Sequence, residues 1–235
     1  MSRMTIVGHL TELRRRILVA LGTWMAACAV LWPFSPRLLH FLLEPLGSPA
    51  VYLGPADAFM LVVKLDLIGG AILSSPVIIW QAIAFVLPAL KPSERRVAGA
   101  LLAGGVVAFA VGAWFSFTFI LPAMMKFLLG FTSDVLKPQI VADRYLGMVV
   151  TMAVGCGAAF ELPLVTAGLA RAGIMSAGWL LGHWRYAIIG CFTAGAIITP
   201  SPDAISMIMV AVPLVALYFA GVGTAALAGR GRRGR

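Results

Sequence analysis

Carboxylates are scarce in this chain, and several stand where a charge needs a reason. Glu161 lies inside an otherwise uncharged run from Tyr145 to about Ala170. An ionisable group at that depth of a bilayer costs a few kcal/mol to insert, so it faces a bundle interior or a wet cavity. Two chemistries suit it: contact with a polar group on a partner, or a protonated carboxyl bonded to a neighbouring helix for packing alone. Glu12 and Glu94 stand at the entrances to the first and third apolar runs. A pair of carboxylates at one membrane surface can anchor a cationic ligand through charge-assisted hydrogen bonds. The plainer reading is local: Glu12 precedes Arg15 and Arg16 at i+3 and i+4, and Glu94, after Ser93, favours a helix start. Lys64 and Asp66 lie two apart and so face different sides of a helix. Lys64 is expected to snorkel toward the outer face and Asp66 to borrow water or a partner, both as structural features.

Other chemistry is missing from the sequence. There is no Gly-x-x-x-x-Gly-Lys-Ser/Thr loop, no His-Glu-x-x-His pair and no Gly-x-Ser-x-Gly elbow. His9, His40 and His183 are scattered over three connections, so no metal site is expected, and no cofactor motif is present. Cys28, Cys156 and Cys191 fall inside apolar runs and read as small buried side chains. No enzyme constellation emerges.

The elements that carry these residues follow from composition. Of 235 residues 61% are apolar and 11% charged, which excludes a soluble enzyme with a water-facing surface and excludes disorder. Six helical spans need roughly 120 apolar residues, and the chain has enough. The spans are expected at about 17–34, 59–75, 97–119, 145–170, 186–199 and 204–226, with an arginine-rich tail at 227–235, all in a single membrane domain over 1–235. The basic start and the small residues Ala26-Ala27-Cys28-Ala29 mimic a cleavable signal, but the first run outlasts a signal core and five spans follow, so it is expected to remain as a span.

Between the first two spans, Ser35 is placed to N-cap a short helix with Pro36 at its first position. Arg37, His40 and Glu44 lie on one face, and Pro45 ends it. That helix is expected to lie in the membrane interface. Pro76 is expected to end the second span, with 77–90 a separate apolar helix. Gly104, Gly105 and Gly112 mark a close helix approach in the third span. A second polar connection is expected at 126–143. The fifth span, with about 14 residues, reaches only roughly 21 Å, so it must thin the bilayer or pack beside a longer helix.

Charge fixes the orientation. The N-terminus, 77–96, 171–185 and the tail hold Arg14, Arg15, Arg16, Lys91, Arg95, Arg96, Arg171, Arg185 and the terminal arginines. The opposite connections hold Arg37, Lys126, Lys137 and Arg144. Basic residues mark the cytoplasmic side, so both termini are expected inside. The net charge of +9 thus reflects orientation and anionic lipid rather than nucleic-acid binding.

Six short segments, in order, resemble the TatC family, the multi-spanning subunit of the twin-arginine protein translocase. They are His9-Leu10-Thr11-Glu12-Leu13-Arg14-Arg15-Arg16, Ser75-Pro76-Val77-Ile78-Ile79-Trp80-Gln81, Phe85-Val86-Leu87-Pro88-Ala89-Leu90 with Ser93-Glu94-Arg95-Arg96, Phe160-Glu161-Leu162-Pro163, Arg185-Tyr186, and Thr199-Pro200-Ser201-Pro202-Asp203. The resemblance implies an all-α integral membrane protein, a concave glove-like bundle of six transmembrane helices with both termini cytoplasmic. It implies a cytoplasmic-membrane receptor for signal peptides with two consecutive arginines on folded cargo, driven by the proton-motive force. Glu12 and Glu94 become the acidic contacts, with Arg14 and Phe85 shaping the same surface. Glu161 becomes a polar point meeting single-span TatA and TatB partners or an inserted signal peptide. Pro45, Gln81, Thr199 and Asp203 match positions tied to assembly or transport, and a homo-oligomeric complex in membrane lipid is implied. The chain departs from the family pattern at Leu217-Tyr218-Phe219, Met207 and Phe117, which bears on contacts of the last two spans. From another class, the alternative is a small proton- or ion-coupled secondary transporter using Glu161, Lys64 and Asp66 as a relay. An intramembrane hydrolase ranks third, lacking a catalytic pair.

Overall fold

A computed structural model describes residues 6–47, 49–86, 92–131, 138–199, 201 and 203–233, and they are helical almost throughout. In chain order the helices are α1 (Ile6–Leu31), α2 (Ser35–Leu43), α3 (Asp57–Val86), α4 (Pro92–Phe115), α5 (Leu121–Leu129), α6 (Ala142–Phe160), α7 (Leu162–Ala172), α8 (Ala177–Gly182), α9 (Trp184–Ile198) and α10 (Ala204–Arg233). Among the described residues, five helical stretches are long and apolar enough to cross a membrane: Thr11–Leu46, Asp57–Gln81, Ala103–Leu129, Ala142–Arg171 and Ala204–Gly229. The apolar helix Trp184–Ile198 is shorter. Large side chains such as Met25 and Ile197 stand 65% and 76% exposed on these helices. In water such display would be untenable, and in lipid it is the expected outward face.

The chain divides into two compact units, residues 1–42 with 52–106, and residues 43–51 with 107–235. In the first, α1 packs along α3. Small residues let them close: Gly70 faces Cys28 so tightly that an added methyl would come within 3.2 Å of the Cys28 backbone nitrogen. Trp24 Nε1 donates to the Leu67 carbonyl at 3.0 Å. Asp66 is buried rather than wet, and accepts a hydrogen bond from the Ser35 hydroxyl at 3.3 Å. Ser35, fully buried, is therefore not the N-cap its position promised. A 3₁₀ turn over Trp32–Phe34 carries the helix straight from α1 into α2, and the hydroxyl also donates back to the Leu31 carbonyl.

Pro76 does not end the second span either; α3 runs through it for 30 residues. A proline inside a helix leaves the carbonyl four residues earlier without its donor. Here that carbonyl belongs to Ile72, and the Ser75 hydroxyl donates to it at 2.7 Å. Serine supplies the hydrogen bond that proline removes, as neighbouring hydroxyls can in apolar surroundings.

In the second unit the third span continues beyond 119. A π-helical turn, Ser116–Ile120, joins α4 to α5, so the second polar connection opens after Leu129 and not at 126. The wide turn precedes Pro122, which lacks a donor, and proline and π-turns are recognised causes of helix distortion. Gly112 lets α4 meet α6: a Cβ there would lie 2.6 Å from the Cys156 carbonyl oxygen. This unit's core gathers Leu121, Met124, Met152 and Val210, all essentially fully buried. The two polar connections touch through a parallel bridge in which the Val51 amide donates to Ile140 and the Ala142 amide to Val51, both at 2.9 Å. At the C-terminal end, Thr166 donates to the Gly221 carbonyl at 2.9 Å and Thr224 to the Pro163 carbonyl at 2.6 Å, lacing α7 to α10. Tyr218 adds a bond to the Leu180 carbonyl at 2.6 Å, tying α10 to α8. The last helix extends through Arg233 and so includes most of the stretch expected as a separate tail.

Candidate functional site

The most informative constellation in the first unit lies near the start of α1. Glu12 and Arg16 are one helical turn apart, and Arg16 Nη2 meets Glu12 Oε1 at 2.6 Å, with Nε at 3.2 Å from the same oxygen. Both side chains are 23% exposed, so the pair is partly shielded from screening. Arg16 Nη1 also donates to Gln81 Oε1 at 3.2 Å. Gln81 arrives from α3, five residues beyond Pro76, and its placement depends on that helix staying continuous. The sequence offered Arg15 and Arg16 as equal partners for Glu12; the contact with Gln81 selects Arg16. The second carboxylate oxygen, Glu12 Oε2, is shielded from solvent and has no hydrogen-bond partner among the described residues. Arg14 is exposed and lies about 200° round the helix from Glu12. The side chains of Phe85 and Glu94 lie outside the described residues, although their backbones belong to α3 and the first turn of α4.

Glu161 in the second unit sits at the joint between α6 and α7. Its amide donates to Ala158, and its carbonyl accepts from Leu164 and Val165 at 3.0 and 2.9 Å. The joint is a single turn residue, and Pro163, which lacks a backbone donor, follows it in the first turn of α7. The side chain is half-buried, and no hydrogen bond reaches its carboxylate among the described residues. This leaves it open to a partner's polar group, in contrast to the packing alternative, which calls for a bond to a neighbouring helix.

Pro45 lies in a 3₁₀ turn, Glu44–Leu46, that packs on α5, anchored by the buried Leu46 and closed by Gly47 at φ 66°. Thr199 is buried where α9 ends, and its hydroxyl donates to the Gly195 carbonyl. Asp203 caps α10: its Oδ1 accepts from the Ser206 amide at 2.7 Å. That amide, in the first place, holds the Asp203 carboxyl below the usual carboxylate range. α9 itself has 15 residues, or about 22 Å against the roughly 30 Å of a bilayer core. Its N-terminal end carries an aromatic group: Trp179 stacks on His183 at 4.3 Å, and Arg185 sits over the Trp184 ring at 5.6 Å. Such residues favour the headgroup level. Reading the sequence alone missed this cluster, although Trp179, His183 and Tyr186 stand at i, i+4 and i+7 with Trp184 beside them.

A family model described as Sec-independent protein translocase protein (TatC) matches residues 8–213. The chain belongs to the TatC family. A chloroplastic TATC of Arabidopsis thaliana is 34% identical over 232 residues, covering 97% of this chain and 68% of that protein. The TatC of Synechocystis is 34% identical over 228 residues, covering 97% and 90%. A crystal structure of the twin-arginine translocase receptor TatC superposes with a TM-score of 0.78 at 32% identity, spanning 94% of this chain and 99% of that one. This TatC-family chain is thus a multi-pass membrane protein of protein transport, a subunit of the twin-arginine translocase and not an enzyme. A solute carrier relaying protons through Glu161, Lys64 and Asp66 finds no support in these matches. Asp66 is moreover committed to Ser35.

Proposed function

We propose that this subunit is the receptor for signal peptides bearing two consecutive arginines, and that Glu12 and Glu94 are the carboxylates that hold them. Phe85 shapes the surrounding surface, and Arg14 extends it from the far flank of α1. The observation that supports this reading is the Glu12–Arg16 contact: the carboxylate at the head of the first span already takes a guanidinium at 2.6 Å. A planar guanidinium can pair with both oxygens of a carboxylate, whereas a lysine ammonium offers a point charge, so arginine is preferred at such a site.

The wider arrangement we propose is one membrane domain over 1–235, a concave glove-like bundle of six spans in the cytoplasmic membrane with both termini cytoplasmic. The bias of arginine toward the connections on that side supports the orientation. Glu161 serves single-span TatA- and TatB-type partners or a deeply inserted signal peptide, supported by a carboxylate that no hydrogen bond reaches among the described residues. Pro45, Gln81, Thr199 and Asp203 serve assembly or transport, and several copies act together. The 15-residue α9 favours passage of folded cargo through locally thinned lipid, energised by the proton-motive force.

Crosslinking tests the assignment of residues. With Glu12→Gln and Glu94→Gln combined, crosslinking of an Arg-Arg signal peptide to the membrane-inserted chain is expected to fall severalfold; unchanged crosslinking rejects these carboxylates as acceptors. Glu161→Ala is expected to spare peptide crosslinking while impairing export. Normal export by that variant would make Glu161 a packing feature.

A further inference from the structure

We infer that Arg16 is a built-in competitor for the acceptor carboxylate: it occupies Glu12 in the unladen protein, and an arriving cationic leader must displace it. The inference rests on the receptor reading above and adds a threshold to it.

The geometry is that of an occupied but unfinished site. Arg16 places two nitrogens, Nη2 at 2.6 Å and Nε at 3.2 Å, on the single oxygen Oε1 of Glu12. It does not pair fork to fork. Oε2 is shielded and unbonded among the described residues, and a buried acceptor without a partner carries a desolvation penalty. A leader guanidinium that engages both oxygens satisfies Oε2, but it needs Oε1 as well, which Arg16 holds. The exchange swaps one guanidinium for another on Glu12, so the carboxylate is never left unpaired. The released Arg16 keeps a neutral partner in Gln81, already 3.2 Å from Nη1. Gln81 thus serves as the parking place of the competitor, and α3 holds it there.

A resident competitor weakens every incoming ligand by the fraction of time it leaves the site free. A partly shielded ion pair of this type is populated roughly fivefold over its open form. Arg16 should therefore cut the affinity of all cationic leaders by about that factor, without changing the ratio between them. A leader of two arginines clears such a threshold, and weaker cations do not. A mere brace for Glu12 would act in the opposite sense, since losing it would weaken binding.

The experiment uses the full chain in lipid vesicles and synthetic signal peptides carrying Arg-Arg or Lys-Lys. Arg16→Met, which keeps length and removes charge, is expected to tighten both peptides about fivefold with their ratio unchanged. Weaker or unchanged binding overturns the inference. So that nothing depends on the variant folding, the wild-type chain is also labelled with phenylglyoxal and read by site-resolved mass spectrometry. Reactivity at Arg16 should rise when the Arg-Arg peptide is added, while Arg15 stays constant. A fall or no change at Arg16 overturns the inference. If the wild-type chain fails to prefer Arg-Arg over Lys-Lys, the receptor reading fails first, and the displacement idea falls with it.

Discussion

Removing the Ser75 hydroxyl should matter only because Pro76 is next to it. Pro76 deprives the Ile72 carbonyl of its backbone donor, and Ser75 replaces that donor at 2.7 Å. In Ser75→Ala the carbonyl is left bare in an apolar setting. Hydroxyl bonds inside membrane helices are worth about 0.6 kcal/mol on average and up to about 1.7 kcal/mol. A loss near 1 kcal/mol is therefore expected. In Pro76→Ala the backbone amide at 76 returns to Ile72, so adding Ser75→Ala to that background should cost close to nothing. The double-mutant cycle should then show a coupling of about 1 kcal/mol. Unfolding free energies of the purified chain, from titration with a denaturing detergent in mixed micelles, measure all four corners. Additive effects would refute the replacement mechanism. Because α3 carries Gln81 to Arg16 beyond this point, Ser75→Ala should also loosen the Arg16–Gln81 contact, seen as greater reactivity of Arg16 to phenylglyoxal.

Gly70→Ala should destabilise the α1–α3 pair by about 1–3 kcal/mol, since the new methyl meets Cys28 where the backbones touch; the same detergent titration checks it, and a neutral result would deny the close approach. At Asp203 the cap on the Ser206 amide should be worth about 1 kcal/mol. Its folded carboxyl is held below its unfolded value, so the contribution is complete above the ordinary carboxylate range and fades as pH falls through the lower, folded value. Asp203→Asn should keep most of it with no pH dependence, and Asp203→Ala should lose it at every pH; equal stability of Asp203→Ala and wild type at neutral pH would remove the cap from the account. Lengthening α9 by four leucines, about 6 Å, should reduce export more in thick bilayers than in thin ones, where little thinning is needed, measured with vesicles of graded acyl-chain length. Export indifferent to the insertion would contradict a thinning role.

Much of this was legible in the sequence, and the residues explain which parts were not. Periodicity and composition revealed the apolar helices, because an uncharged run of sufficient length has few other fates. The pair of Glu12 with an arginine one turn away was visible from spacing. The selection of Arg16 over Arg15 was not, because it depends on Gln81, which is 65 residues distant. Pro76 misled for a physical reason: proline breaks helices in water, yet a preceding serine can restore the lost bond in an apolar environment, and Ser74-Ser75 before Pro76 was the available sign. Ser35 misled similarly. Serine before proline reads as an N-cap, but tertiary contact with Asp66 took precedence over local capping. Glu161 was conspicuous because a charge in an apolar run is costly, whereas the lack of a hydrogen bond to its carboxylate among the described residues depends on what packs around it, which the sequence does not show.

The most direct test of the central claim is the equilibrium affinity of the wild-type chain, in vesicles, for one signal peptide in its Arg-Arg and Lys-Lys forms. A carboxylate site that prefers planar guanidinium pairs should bind the Arg-Arg form at least tenfold more tightly, with the preference lost when Glu12 and Glu94 are both neutralised. Equal affinity for the two forms would contradict the account.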